Sequence, residues 1–126
     1  FAIFAKLILD GGKYKGHRVL DEETIDLMIK DHMGQDKPYL IPWLGPDFMS
    51  GFGYGGSIQI NETPEQLARN GKGIGHWGWS GAARTIFWID RKNNSFGILL
   101  LQFLSDEDPK IHDEFRALAF AMTKNQ

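Results

Sequence analysis

The stretch GHWGWSGAART, residues 75–85, sets Trp77 and Trp79 beside Gly75, Gly78, Gly81, Ala82 and Ala83, with His76, Ser80 and Arg84 among them. Bulk next to bare backbone suits several chemistries. A glycine-rich phosphate cradle is one, because Gly73 to Gly78 and Gly51 to Gly56 both spell G-x-G-x-x-G. A dinucleotide fingerprint, however, must follow a strand and open a helix, so that the helix N-terminus meets the pyrophosphate. Both runs lead into strand-like sequence, which sets nucleotide binding aside. An exposed Trp77 and Trp79 pair could instead stack on a sugar or peptide in a non-catalytic binding module. Glycine and tryptophan alternating on a strand also serve close sheet packing, with the aromatic covering bare backbone. His17, His32, His76 and His112 have no H-E-x-x-H or other ligand spacing, so neither a metal nor a cofactor is expected. The spacing leaves His17, His32 and His112 on the surface and His76 beside the aromatic strand. Asp106, Asp108 and Asp113 resemble the start of a calcium loop, but the sixth position is Ile111 and the twelfth is Ala117. That run reads as an acidic turn capping the last helix.

The elements that must hold this stretch follow from periodicity. In FAIFAKLILD, residues 1–10, Phe1, Phe4, Ala5 and Ile8 form one stripe of an amphipathic helix. No capping residue precedes it, so the pattern reads as a chain cut inside or just before a helix. Gly11 and Gly12 end the helix and KYKGHRVL forms a short polar loop. Asp21 is the expected N-cap of a second helix, with Glu22 and Glu23 in its first turn. That helix runs to about Asp31 and buries Ile25, Met28 and Ile29. Pro38, Pro42 and Pro46 make residues 33–50 an irregular connection. Strands are expected over about 51–60, 76–90 and 96–103, the last apolar on consecutive positions and so covered on both faces. NETPEQLARNGKG, residues 61–73, is a solvent-facing connection, and DRKNNS, residues 90–95, is a tight turn joining the last two strands into a hairpin. Ile111, Phe115, Leu118, Ala119 and Met122 predict a closing helix within 107–124 that lies on the sheet. The order of elements gives an α+β class: an antiparallel sheet, within residues 51–104, with flanking helices.

Composition narrows the function classes. The 126 residues, 42% hydrophobic and 24% charged, read as one globular domain or part of one. A net charge of −2 supplies no basic field, so nucleic acid is not an expected partner. No apolar run approaches the roughly 20 residues that span a bilayer, and no basic-then-apolar leader is present. With no cysteine there is neither a disulfide framework nor a thiolate nucleophile, which leaves the redox compartment open.

GWSGAARTIFWIDRKNNSFGILLLQ resembles the C-terminal hairpin of the serine β-lactamase and penicillin-binding-protein superfamily, above all its esterase and amide-hydrolase branch. FAKLILDGGKYKGHRVLDEETIDLM is similar to that family's helix, Gly-Gly turn and following helix. GFGYGG resembles its Gly-Phe-Gly strand start, and DEFRALAFAM its last helix. The resemblance covers most of the chain in the family's order and implies a partial β-lactamase/transpeptidase-like fold. It also implies a hydrolase that attacks a small-molecule ester, amide or β-lactam through an S-x-x-K serine, a Tyr- or Ser-centred second motif and a Lys-Thr-Gly-like triplet. By that resemblance Trp79-Ser80-Gly81 stands at the third motif. Ser80 would hydrogen-bond the substrate or its leaving group, Gly81 would keep the strand bare, and the Ala82 N–H would be one oxyanion donor. The resemblance favours a periplasmic or extracellular setting.

The departures from the family matter. Trp79 stands where β-lactamases carry lysine, which favours ester or amide substrates, and Arg84, sharing a strand face with Ser80 and Ala82 at period two, could return the lost charge. None of Ser50, Ser57, Ser80, Ser95 or Ser105 has a lysine three residues on, and Tyr14, Tyr39 and Tyr54 lack Asn or Ser two residues on. Nucleophile and base are therefore missing, and the expectation is the C-terminal part of a larger hydrolase, inactive alone and dependent on an N-terminal portion of the same protein. A binding module should have protected sheet edges, whereas a hydrolase fragment should show an uncapped first helix and uncovered apolar surface.

Overall fold

A computed structural model describes residues 1–32, 39–40, 49–59, 76–105 and 109–123. The 61–73 connection, most of the 33–50 connection, and Asp106 and Asp108 of the acidic run lie outside the described residues.

The apolar stripe at the start of the chain folds as helix α1, Ala2–Leu9, with Phe1 at its N-cap position and no side-chain cap. Ala5 and Ile8 are fully buried while Phe1, at the mouth of the stripe, stays exposed. Gly11 and Gly12 stop the helix with φ of 61° and 88°, the left-handed region in which glycine carries no Cβ penalty. The polar loop expected after them is a small hairpin of β1, Lys13–Tyr14, and β2, His17–Arg18. Lys15 and Gly16 both take positive φ there, as a two-residue hairpin turn requires. Helix α2, Glu22–Ile29, ends two residues earlier than its periodicity predicts because Lys30 turns extended. Asp21 occupies the N-cap position without making a cap hydrogen bond, and Ile25 is the fully buried residue of the helix.

The sheet corrects the expected strand count. The single strand expected over 51–60 is a hairpin of β4, Met49–Gly53, and β5, Gly56–Gln59, turning at Tyr54 and Gly55. The single strand expected over 76–90 is also a hairpin, of β6, Trp77–Ser80, and β7, Ile86–Asp90. With β3, Tyr39–Leu40, and β8, Ser95–Leu99, these strands form a six-stranded antiparallel sheet in the order β3-β4-β5-β6-β7-β8. The β7–β8 hairpin turns through residues 91–94, within the segment that DRKNNS marks. β8 stops at Leu99, and Leu100, Phe103 and Leu104 beyond it are exposed rather than covered.

Cross-strand register sorts the side chains by face. Trp77 pairs with Ile89, Trp79 with Phe87, and Phe87 with Ile98, so these lie on the face that α1 and α2 cover. Ala5, Ile8, Ile25, Trp77 and Ile89 form the core of that layer. The other face carries a row of Gly78, Trp88 and Gly97 across β6, β7 and β8. The Trp88 ring lies against bare Gly97 and meets Phe115 of helix α3, Ile111–Thr123, edge-on at 5.4 Å. The expected inner stripe of α3 is rotated. His112, Phe115, Arg116, Ala119 and Phe120 are its shielded positions, while Ile111, Leu118 and Met122 are exposed. Arg116 explains part of the shift, since its guanidinium lies over the Trp88 ring at 5.9 Å and buries its stem along the aromatic. The fold is α+β, an antiparallel sheet between helices.

Candidate functional site

Ser80 is the last residue of β6, and the chain reverses immediately after it. The Arg84 N–H donates to the Gly81 carbonyl at 2.8 Å and the Gly81 N–H to the Thr85 carbonyl at 2.9 Å, which closes a tight tip between β6 and β7. Gly81, Ala82 and Arg84 therefore sit in a turn, not on a strand, and the period-two face expected for Ser80, Ala82 and Arg84 does not extend past Ser80. Arg84 has φ of 62°, a conformation that usually selects glycine at the end of a hairpin loop and costs other residues about 1 kcal/mol. The tip groups Ser80, Gly81 and Ala82 on exposed backbone. The amides of Ala82 and Ala83 have no hydrogen-bond partner among the described residues. Trp79, half exposed at 48%, points to the opposite face of β6 from Ser80 and meets Phe52 edge-on at 5.9 Å.

The tip is braced from outside the hairpin. The chain after β8 runs along it, with the Phe103 N–H donating to the Ala83 carbonyl at 3.2 Å and the Thr85 hydroxyl to the Leu101 carbonyl at 3.2 Å. The Arg84 guanidinium donates to the Ser105 carbonyl, so this cation already has backbone to hold. His112 is 4% exposed and lies 2.7 Å through Nε2 from the Arg84 carbonyl, a correction to its expected surface position. A helical pattern scored on apolar residues passes over a histidine on the inner face.

A second polar cluster lies at the other end of the hairpin, where sequence spacing predicted none. His76 Nε2 donates to Asp90 Oδ2 at 2.7 Å, and both residues are buried. Asn93 donates its backbone N–H to Oδ1 at 3.0 Å and its side-chain amide to Oδ2 at 2.6 Å, so Asp90 ties the end of β7 to the turn before β8. Arg91 in that turn pairs with Asp26 and, at 3.3 Å, with Glu22, which locks the turn to α2. Burial alone would raise the Asp90 carboxyl, but hydrogen bonds from His76 and Asn93 outweigh it and lower the carboxyl from 3.8 to about 2. The sequence signal was an Asp closing a turn fourteen residues after a histidine, and only the strand register places the two side by side.

The sign of the Asp90 shift sets a pH dependence. A carboxyl held below its unfolded value stabilises the fold above about pH 4, and that stabilisation fades as pH falls through about 2. Urea unfolding should lose about 2 kcal/mol between pH 5 and pH 2, and Asp90→Asn should flatten that part of the profile. An identical acid slope in the variant would assign the loss to other carboxylates.

Trp77 is 3% exposed, packed against Phe4 and Phe87, so it cannot join Trp79 in an exposed stacking platform. Among the described residues no three of His, Asp and Glu gather where one ion could be held, and no helix is long and apolar enough to cross a membrane. No family model matches the chain, and no curated protein matches it.

Proposed function

We propose that this chain is one wall of the active site of a β-lactamase-like serine hydrolase that acts on an ester, amide or β-lactam by acyl transfer. The observation that carries the reading is the exposed β6–β7 tip, where Ser80 and Gly81 lead into the amides of Ala82 and Ala83, which have no hydrogen-bond partner among the described residues. Attack on an acyl carbonyl develops negative charge on its oxygen, and fixed N–H groups stabilise that charge without reorganising. In this reading the Ala82 N–H faces the oxyanion, Ser80 hydrogen-bonds the substrate or its leaving group, and Gly81 leaves room for close approach. Open space surrounds the position where a Gly81 side chain would start, which fits that role. Arg84 acts through its hold on Ser105 and the shape of the tip, a different use from the substrate charge that its position suggests.

The attacking serine and its base are assigned to a further part of the same protein, since S-x-x-K is absent from the chain. Among the described residues β8 ends the sheet with no strand beyond it, and exposed Leu100 and Leu104 follow it; this supports that assignment, because a strand edge flanked by apolar side chains invites cover.

The test is a longer protein carrying this chain, with S-x-x-K and then Y-x-N upstream. It should release p-nitrophenol from p-nitrophenyl acetate with an initial burst, and Ser80→Ala should slow turnover about tenfold or more. A parent sequence without those motifs, or one that leaves the ester intact, would end the reading. The stacking-module alternative predicts instead a saturable sugar or peptide interaction abolished by Trp79→Ala.

A further inference from the structure

We infer that His112 is a positioning residue for the oxyanion-facing tip, an inference that rests on the hydrolase reading above. His112 stands in the first turn of α3, twenty-eight residues away from Arg84, and is buried. Its Nε2 reaches the backbone carbonyl of Arg84 at 2.7 Å. A carbonyl only accepts, so Nε2 carries the proton. The bond therefore holds in the neutral Nε2–H tautomer and in the imidazolium alike.

The carbonyl it binds belongs to the strained residue of the tip. Arg84 sits at φ of 62° without being glycine, and such a backbone persists only where its surroundings over-determine it. Contacts that do so include His112 on the Arg84 carbonyl, the Arg84 guanidinium on Ser105, Thr85 on Leu101 and Phe103 on Ala83. Three of these come from the chain segment after β8, whose course is exposed at Phe103, Leu104 and Ser105. His112 ties the tip to a thirteen-residue helix packed on the sheet. The amides of Ala82 and Ala83 immediately precede Arg84, so the torsion that His112 fixes aims them. An oxyanion donor works only within a few tenths of an ångström of its place, and a misplacement of about 1 Å costs up to a hundredfold in rate.

The test compares His112→Ala with His112→Gln in the intact hydrolase, since the glutamine amide nitrogen can take the place of Nε2. His112→Ala should lower kcat for p-nitrophenyl acetate by about ten- to a hundredfold while KM stays within about twofold. His112→Gln should restore kcat to within about threefold. Amide exchange at Gly81 and Arg84, whose N–H groups close the tip on the Thr85 and Gly81 carbonyls, should quicken in the alanine variant and return to the wild-type rate in the glutamine variant. Wild-type kcat in His112→Ala, or a glutamine variant as slow as the alanine one, overturns the positioning role. A wild-type protein that leaves the ester untouched overturns the hydrolase reading instead, and exchange at Gly81 and Arg84 then still reports whether His112 fixes the tip.

Discussion

Asp90→Ala is expected to lower the unfolding free energy by about 3 kcal/mol, the cost of removing one partner of a buried, hydrogen-bonded pair. The carboxylate accepts from His76, the Asn93 backbone and the Asn93 side chain, and its loss takes this acceptor from the buried His76 and unties the exposed Asn93 from the end of β7. Small packing gains from a shorter side chain cannot offset this, because the cavity left behind adds to the loss. The midpoint of thermal unfolding should fall by roughly 10 °C for a chain of this size. Asp90→Asn keeps the shape and one acceptor oxygen, so it should cost less than alanine. The turn that Asp90 organises also carries Arg91, whose pairs with Asp26 and Glu22 would loosen with it. Urea titration of the three proteins checks the order, and a loss below about 1 kcal/mol for the alanine variant would mean that the His76 and Asn93 donors find other acceptors. The cluster lies a full strand away from the Ser80 tip, about 16 Å at the usual rise per residue. If the proposed hydrolase reading holds, ester hydrolysis by the folded fraction of the longer protein should therefore be unchanged, which separates this cluster's role from that of the site.

Much of the layer order was legible because it rests on local rules. Gly11 and Gly12 mark the end of α1, DRKNNS marks the β7–β8 turn, and the stripes through Ala5, Ile8 and Ile25 find their core. The two missed hairpins share one cause: their turns lie inside runs that look continuous. Tyr54-Gly55 reverses the first, and the second turns at Gly81–Arg84 with arginine, not glycine, at the left-handed position. A propensity rule has no means of expecting that choice, since it depends on hydrogen bonds to the carbonyls of Leu101 and Ser105 and on one from His112. The same limit applies to the site. Residue types pick out Ser80, Gly81 and Ala82, but only the turn places them together on a tip, and only strand pleating sends Trp79 to the other face. His76 and Asp90 needed the β6–β7 register to become a pair, and His112 needed the rotation of α3 that Arg116 and Trp88 impose.

Gly78→Ala should be the most disruptive single-methyl change in the β6–β7 hairpin. A Cβ there would lie 2.2 Å from the Phe87 carbonyl oxygen and 2.9 Å from the Trp88 Cα, both of them backbone. Backbone cannot swing aside, so β6 must move off β7 or the register must slip. Removing a glycine from a strand ordinarily gains up to about 1 kcal/mol of backbone entropy. Overpacking against a fixed strand costs about 3 kcal/mol, so the clash decides the sign. Gly97→Ala offers the control within the same row. Its Cβ would sit 2.2 Å from the Trp88 ring, a side chain that can pivot if it gives up its contacts with Phe115 and Arg116. Gly97→Ala should therefore cost less than Gly78→Ala and change the near-ultraviolet circular dichroism of Trp88 more in proportion to its cost. Equal losses would mean that the Trp88 ring is as immovable as the strand. Because Ser80 is two residues from Gly78 on the same face, a displaced β6 also carries the tip with it. Under the proposed hydrolase reading, the longer protein carrying Gly78→Ala should thus lose ester hydrolysis at temperatures where it is still folded, whereas Asp90→Ala should lose it only by unfolding. That contrast follows from what the glycines do in this sheet: bare backbone at 78 lets the β7 backbone lie close, bare backbone at 97 makes room for the Trp88 ring, and the register so fixed sets where β6 ends and the tip begins.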